Sequence, residues 1–274
     1  MTVVACVKWV DLRPEIDPLT GEVHTSDRTA GWSAADAAAV ETALRIGDAW
    51  NRPVAVCCVG PASARRGLEE LLAAGVRTAV LIEAPATASS DSVAAALVEQ
   101  IGSLGEVAAV VCGDYSADRG SGSVPAFVSH GLGAAQALGL VAVDPAEDRR
   151  VLVTRRLGGG RSERLELSAP MVLSVEGSVA SLRRGSLSGA LAARRDDAVV
   201  TVTGASFPQP TPVMTRPMRP RARALPAPAA ADARTRIVSI TGALVDRTPP
   251  RTITVGPDEA ADAILEALAA WGYR

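Results

Sequence analysis

Aromatic residues are nearly missing from this 274-residue chain: four Trp, two Tyr and two Phe make up 3% of it. Hydrophobic residues still reach 48%, so the core has to be built from Ala, Val and Leu, as helices packed closely on Val-rich strands. Cysteine is limited to Cys6, Cys57, Cys58 and Cys112. Each lies in or beside an apolar run and none has a zinc-site spacing, which reads as four small buried hydrophobes. With only His24 and His130 available, a metal centre is not expected and there is little room for a Ser-His-Asp triad. The net charge of −2 gives no reason to expect a polyanion partner such as nucleic acid. No uninterrupted apolar span of about 18 residues occurs. The opening "MTVVACVKWV" also lacks a basic segment followed by a long apolar one. A cytoplasmic protein without a membrane span is the expectation.

Several catalytic signatures are absent too. There is no G-x-x-x-x-G-K-[ST] and no G-x-S-x-G elbow, which excludes the P-loop and serine-hydrolase readings. "GSGSVP" does not open directly from a strand, and "GLGAAQ" reads as lying inside a helix, so neither is a dinucleotide fingerprint. His130 reads as a helix-surface residue, and Glu69 and Glu70 as solvated helix charges.

What is present is alternation. "TVVACVKWV", "PVAVCCVG", "RTAVLIEA" and "EVAAVVCG" read as buried strands. "SAADAAAVETALRIGDAW", "SARRGLEELLAAG" and "SSDSVAAALVEQIGSL" read as helices between them, the first started by Ser33 or Asp36 and the second stopped by Gly75. Continuous Val-rich strands separated by helices predict a doubly wound parallel α/β sheet, Rossmann-like in its winding. Beyond residue 145 the pattern changes. "RRVLVTRRLGGGRSERLELSAPMVLSVEG" alternates around a Gly-rich turn, predicting an antiparallel hairpin and a further strand. The predicted organisation is an α/β core over 1–205, a Pro/Ala/Arg-rich extended arm over 206–236, and a C-terminal segment over 237–274. The arm's basic charge could bind RNA, but a solvated or partner-hugging arm is preferred. In the C-terminal segment, "PDEAADAILEALAAWGYR" predicts a terminal helix with Pro257, Asp258 and Glu259 in its first turn.

The stretch "VVCGDYSADRGSGSVPAFVSHGLGAAQALG" (110–139) reads as strand, loop, then helix. Ligands of parallel α/β sheets sit beyond the carboxyl ends of the strands, where this loop lies. Gly120, Ser121, Gly122 and Ser123 are small enough for backbone N–H groups to approach an anion, and a helix starting near Val124 would aim its positive end the same way. Asp118 could accept from a ribose or orient the loop. The residues alone leave two readings open, a phosphate cradle or an ordinary surface crossover.

A family pattern runs through these pieces. "ACVKWVDLRPEIDPLTGEV" resembles the "CVKxVPD…ID…G" opening of electron transfer flavoprotein β subunits, and "AVETALRI" resembles their "ALEEALRL". "CCVGPASARRGLEELLAAGVRTAVLI" is similar to "GP…A…LR.ALAMGADRAILL", and Cys112 to Val124 align without gaps on "CGRQAIDGDTGQV". "GGGRSERLELSAPMVLSV" resembles "GG.E…L.LPAVVTV", and "SLSGALAARR" resembles "SLRGIMKAKK". The resemblance covers nearly the whole chain. It implies that the Rossmann-like sheet is of the adenine-nucleotide-binding type and that the 1–205 core is nucleotide-binding. It also implies an electron carrier rather than an enzyme by itself. Such a β subunit pairs with an α subunit around one FAD held mostly by α, and binds AMP, or a second FAD in bifurcating members, on β. It implies a nucleotide pocket at Cys6, at Ser33, Ala34, Ala35 and Asp36, at Val59, and along Gly113, Asp114, Tyr115, Ser116, Ala117, Asp118, Arg119, Gly120, Ser121, Gly122, Ser123 and Val124. It further implies a docking loop for a donor dehydrogenase at Ser186, Leu187 and Ser188 with Leu187 as anchor, Glu163 near the α-subunit flavin domain, and a quinone-linked acceptor.

The departures are specific. Asp114 and Tyr115 replace the family's basic residue and Gln, Gly120 and Ser123 replace an Asp and a Gln, and Ser33 replaces an Asn. Exchanging a base for Asp114 weakens an anionic ligand unless backbone N–H groups carry the binding. Extra residues at "GSVASLRRG" imply a longer docking loop. The expectation that follows is a divergent branch serving a donor other than an acyl-CoA dehydrogenase, one associated with mycofactocin. Two other classes share parts of the pattern. A universal-stress-type nucleotide-binding regulatory module has no use for residues 145–274. An ATP-pyrophosphatase enzyme needs S-G-G-x-D-S after the first strand, where this chain has "KWVDLRPE".

Overall fold

The computed structural model describes residues 1–195, 198–203, 207–208, 227–228, 231–241 and 252–272. The chain divides into two compact units, Met1–Met218 and Arg219–Arg274.

In the first unit the four sequence-predicted strands form as β1 (Thr2–Val7), β2 (Val54–Gly60), β3 (Thr78–Glu83) and β4 (Val107–Gly113). They are followed by β5 (Ala135–Pro145), β6 (Arg150–Arg156), β7 (Ser162–Ser168), β8 (Met171–Val175) and β9 (Val199–Val202). Together they make one sheet in the order β7-β6-β5-β8-β4-β1-β2-β3-β9. All pairs are parallel except those of β6, which runs antiparallel to both β5 and β7. The helices are α1 (Ala34–Trp50), α2 (Arg65–Ala73), α3 (Ser90–Ser103), α4 (Val124–Leu132) and the short α5 (Leu187–Ala192).

Period-two alternation along the strands explains why the sheet is covered on both faces. Val3, Ala5 and Val7 of β1 join a core with Ala38, Ala39 and Ala43 of α1 and Leu68 and Leu71 of α2. Val4 and Cys6 join an opposite core with Cys57, Ala94, Leu97 and Ile101 of α3 and Val128 of α4. The alanines let α1 lie close to the sheet. Its start is seated more tightly still: a Cβ on Gly113 would fall 3.0 Å from that of Ala35, and one on Gly177 would fall 2.8 Å from that of Ala34. After β1 the chain builds outward through β2 and β3, then returns to place β4 on the other side of β1. The order therefore reverses between β1 and β4, opening a crevice at their carboxyl ends.

The hairpin predicted after residue 145 is β6–β7, and it extends the sheet at one edge. Two expectations are corrected. The helix after the 113–123 loop does not run to Gly139. It stops at Leu132, Gly133 caps it at φ +60°, and "AQALG" belongs to β5. Ala, Gln and Leu favour a helix, but pairing with β8 and burial of Ala137 override that preference. "GLGAAQ" accordingly straddles a helix end and a strand. β9 was not anticipated; it completes the opposite edge beside β3.

In the second unit, α6 (Ala233–Thr241) makes the last residues of the predicted arm helical rather than extended. Asp232 accepts from Thr235 N–H at 2.8 Å at its start. Most of the arm, residues 206, 209–226 and 229–230, lies outside the described residues. The predicted terminal helix is α7 (Pro257–Ala270), with Pro257 first and Asp258 and Glu259 in the opening turn. No helix among the described residues is long and apolar enough to cross a membrane.

Candidate functional site

The crevice between β1 and β4 widens into a cavity of about 630 Å³. Its floor holds Cys6 and Cys112, register partners on adjacent parallel strands. Its walls are Lys8 to Asp11 after β1, Val59 to Pro61 at the end of β2, and Ala84, Pro85, Ala86, Ala88 and Ser90 after β3. The β4–α4 loop closes one side, and the segment carrying Ile16, Val23, Thr25 and Ser26 forms part of the rim.

Asp36 of α1 is almost wholly buried and anchors the first wall. Ser33 and Asp36 form a capping box: Ser33 Oγ accepts from Asp36 N–H at 3.1 Å, and Asp36 Oδ2 accepts from Ser33 N–H at 3.1 Å and Oγ–H at 2.6 Å. Its other oxygen accepts from Lys8 N–H at 3.0 Å. Burial nevertheless holds its carboxyl above the ordinary range, with the Ser33 and Lys8 bonds opposing. The Lys8 ammonium turns instead to Asp118, donating to both carboxylate oxygens at 2.6 and 2.8 Å. Burial raises the Asp118 carboxyl, but the hydrogen bonds and charge of Lys8, helped by Ser116, outweigh it and the net shift is downward.

The β4–α4 loop is shaped by Gly120 and Gly122, at φ +64° and +60°. At Gly122 an added Cβ would lie 2.5 Å from the Asp114 carbonyl oxygen, so only glycine fits. Ser123 gives α4 no side-chain cap, which leaves first-turn N–H groups for another acceptor. Arg119 reaches across to the β3–α3 connection, its Nη1 donating to Ala88 O at 2.7 Å and its Nη2 to Ala86 O at 2.9 Å. Asp114 keeps one buried carboxylate oxygen without a hydrogen-bond partner; burial, reinforced by the Glu176 charge, raises its pKa. The Cys6 thiol is raised well above its ordinary value by its hydrogen bond with Cys112 and by burial. Burial pushes Cys57 and Cys58 up to about 12.

Of the residues singled out from sequence, Cys6, Asp36, Val59, Gly113, Tyr115 to Arg119 and Ser121 to Val124 line this one cavity. Ser33 serves through its cap on Asp36, and Ala34 and Ala35 pack on Gly177 and Gly113. Asp114 and Gly120 shape the loop without lining the cavity. Sequence reasoning passed over Lys8, Trp9, the residue 84–90 wall and the Ile16–Val23 rim. Lys8 carried a usable signal: it is the only lysine in a chain whose other basic residues are all arginine. His130 is exposed at the end of α4, as expected. Among the described residues no group of three or more His, Cys, Asp or Glu could hold a metal ion.

The segment expected to dock a donor is α5. Ser186 caps it, accepting from Gly189 N–H at 3.0 Å, and Leu187 is 79% exposed beside the similarly exposed Leu191. Gly185 and Gly189 let this segment lie directly against Ala73 at the end of α2, whose carbonyl accepts from Ser186 N–H at 3.0 Å. Just upstream, Arg183 donates to the buried Glu41 of α1 from its backbone N at 3.1 Å, Nε at 3.0 Å and Nη2 at 3.2 Å, and to Asp48 from Nη1 at 2.9 Å. Glu163 lies on β7, paired with Arg155 of β6.

Residues 20–205 match the electron transfer flavoprotein domain family. The chain belongs to that family. Among curated proteins of this family, the electron transfer flavoprotein subunit beta of Chromohalobacter salexigens is 29% identical over 263 residues, covering 92% of this chain and 89% of the relative. Protein FixA of Rhizobium meliloti is 29% identical over 210 residues, covering 73% of this chain and 71% of the relative. Protein FixA of Azorhizobium caulinodans is 27% identical over 210 residues, covering 73% and 74%. This is an electron transfer flavoprotein subunit of the β type.

Proposed function

We propose that this β-type subunit pairs with an electron transfer flavoprotein α subunit and that the pair carries one FAD, held mostly by α. Electrons would pass from a donor dehydrogenase, docked through the Leu187 helix, to a quinone-linked acceptor. The cavity between β1 and β4 holds an adenine nucleotide of the AMP type in this reading. Its support is the cavity itself: a switch-point crevice of about 630 Å³, met by a glycine-shaped loop and an uncapped helix start. Those features fit a phosphate with its nucleoside. The apolar walls around Trp9, Val59 and Val93 fit a planar base.

Flavin, when bound, supplies the electron-carrying chemistry, and this chain's residues supply position and docking. Lys8, Asp36 and Asp118 fix the mouth of the cavity, while Ser186 and the Arg183–Glu41 contact fix the start of α5. Leu187 offers an exposed aliphatic anchor, suited to a partner pocket that must release quickly.

The test is co-expression with the α-like subunit, followed by mass and absorbance analysis of small molecules released from the purified complex. FAD and AMP in equal amounts support the reading. FAD in twofold amount without AMP moves the function to bifurcation. A complex without flavin overturns it.

A further inference from the structure

The cavity is acidic for an anion site. Asp11, Asp27, Asp36 and Asp118 line it, against Lys8 and Arg119 as the only cationic side chains among the described lining residues. Lys8 is already committed, since its ammonium lies 2.6 Å from Asp118 and their charges cancel locally. Arg119 differs. Both of its guanidinium contacts are to neutral backbone carbonyls, at 2.7 and 2.9 Å, and it forms no ion pair among the described residues. Its guanidinium therefore has no carboxylate partner among the described residues, and of its five N–H donors these contacts engage only part.

Two independent features bring that charge to the loop that would meet a phosphate. Arg119 directly precedes Gly120 and Gly122, whose left-handed conformations turn the chain toward the α4 start. The same guanidinium is braced against the β3–α3 connection, which forms the facing wall. A planar cation held at a fixed place on a cavity wall is well suited to bidentate recognition of an oxyanion.

We propose that Arg119 is the phosphate-selecting residue of this cavity: it distinguishes a nucleoside monophosphate from the bare nucleoside, while Lys8 is kept from that role by Asp118. The inference rests on the nucleotide reading above.

The test is calorimetric titration of AMP and of adenosine into the nucleotide-stripped full chain, in its complex with the α subunit, for the native protein, Arg119→Ala and Arg119→Gln. Glutamine keeps an amide that can still brace a carbonyl but removes the charge. Both variants are expected to bind AMP about tenfold to a hundredfold more weakly, on the scale of a charge-assisted hydrogen bond, with adenosine affinity within about twofold of native. Equal losses for AMP and adenosine would make Arg119 a brace only and overturn the proposal, as would unchanged AMP affinity. A native protein that binds neither compound overturns the nucleotide reading itself, a result visible before any variant is made.

Discussion

Replacing Arg183 with Ala tests what holds the start of α5 in place. Glu41 is 5% exposed. It receives the Arg183 Nε and Nη2 donors and the Arg183 backbone N–H, with Arg45 Nε adding a fourth bond at 3.1 Å. The substitution removes the two side-chain bonds to Glu41 and the one to Asp48, leaving the backbone bond and Arg45. Hydrogen bonds to charged groups contribute about 1.5–3 kcal/mol each when buried, but the Arg183 side chain is 36% exposed, so solvent screening cuts these values. A net loss of about 2 kcal/mol is expected, or roughly 4–8 °C in Tm for a unit of this size. The pH dependence supplies a signature. Burial raises the Glu41 carboxyl, the Arg183 and Arg45 bonds lower it by more, and its folded pKa lies below the ordinary 4.5. Stability linked to a depressed carboxyl is fully present above the unfolded pKa and is lost as pH falls through the folded one. In urea unfolding, the gap between native and variant should be full at pH 7 and should close progressively below about pH 4.5. Amide exchange should quicken at residues 186–193, where the segment leans on Ala73. A gap below about 0.5 kcal/mol at pH 7, or one that persists unchanged into acid, refutes this account of the clasp.

Other substitutions probe separate parts of the molecule. Gly122→Ala forces a Cβ to within 2.5 Å of the Asp114 carbonyl at φ +60°; a stability loss of about 1–3 kcal/mol and loss of AMP binding by calorimetry are expected, and native-like binding would show the loop to be plastic. Leu187→Ala should leave Tm and heterodimer assembly unchanged, because the side chain is 79% exposed, while slowing electron transfer from the donor in stopped-flow flavin absorbance. An unaltered rate removes Leu187 from docking. All four cysteines are free and buried, and burial pushes Cys57 and Cys58 up to about 12, so a thiol reagent at pH 8 should label none in the native protein and all four in denaturant.

The parallel sheet was legible because β1 to β4 are short, continuous apolar runs bounded by helix caps and glycines, a pattern with few other solutions. The helix-to-strand boundary at Gly133 was not. "AQALG" is written in helix-forming residues, and only its partners on β8, supplied by distant sequence, decide its state. β9 was missed for a related reason: four residues at a sheet edge, partly exposed, carry little periodicity. In the cavity, the Ser33–Asp36 box could be read from its i to i+3 spacing, and the β4–α4 loop from its glycines. The contact of Lys8 with Asp118 spans 110 residues, and that of Arg119 with Ala88 spans 31. No local pattern encodes either, so both depended on the folded geometry.

Trp9 lines the cavity and stands edge-on to Trp32, with ring centroids 4.8 Å apart at 74°. Trp32 is in turn fixed by its Nε1–H bond to Gly67 O at 3.2 Å, on a helix where any Cβ at Gly67 would strike both rings. In a chain with four tryptophans, this places an edge-to-face indole pair with one member on the cavity wall. A ligand that entered the cavity would change the surroundings of Trp9 while Trp32 stays clamped, so the proposed occupancy could be followed by tryptophan emission and near-ultraviolet dichroism without a label.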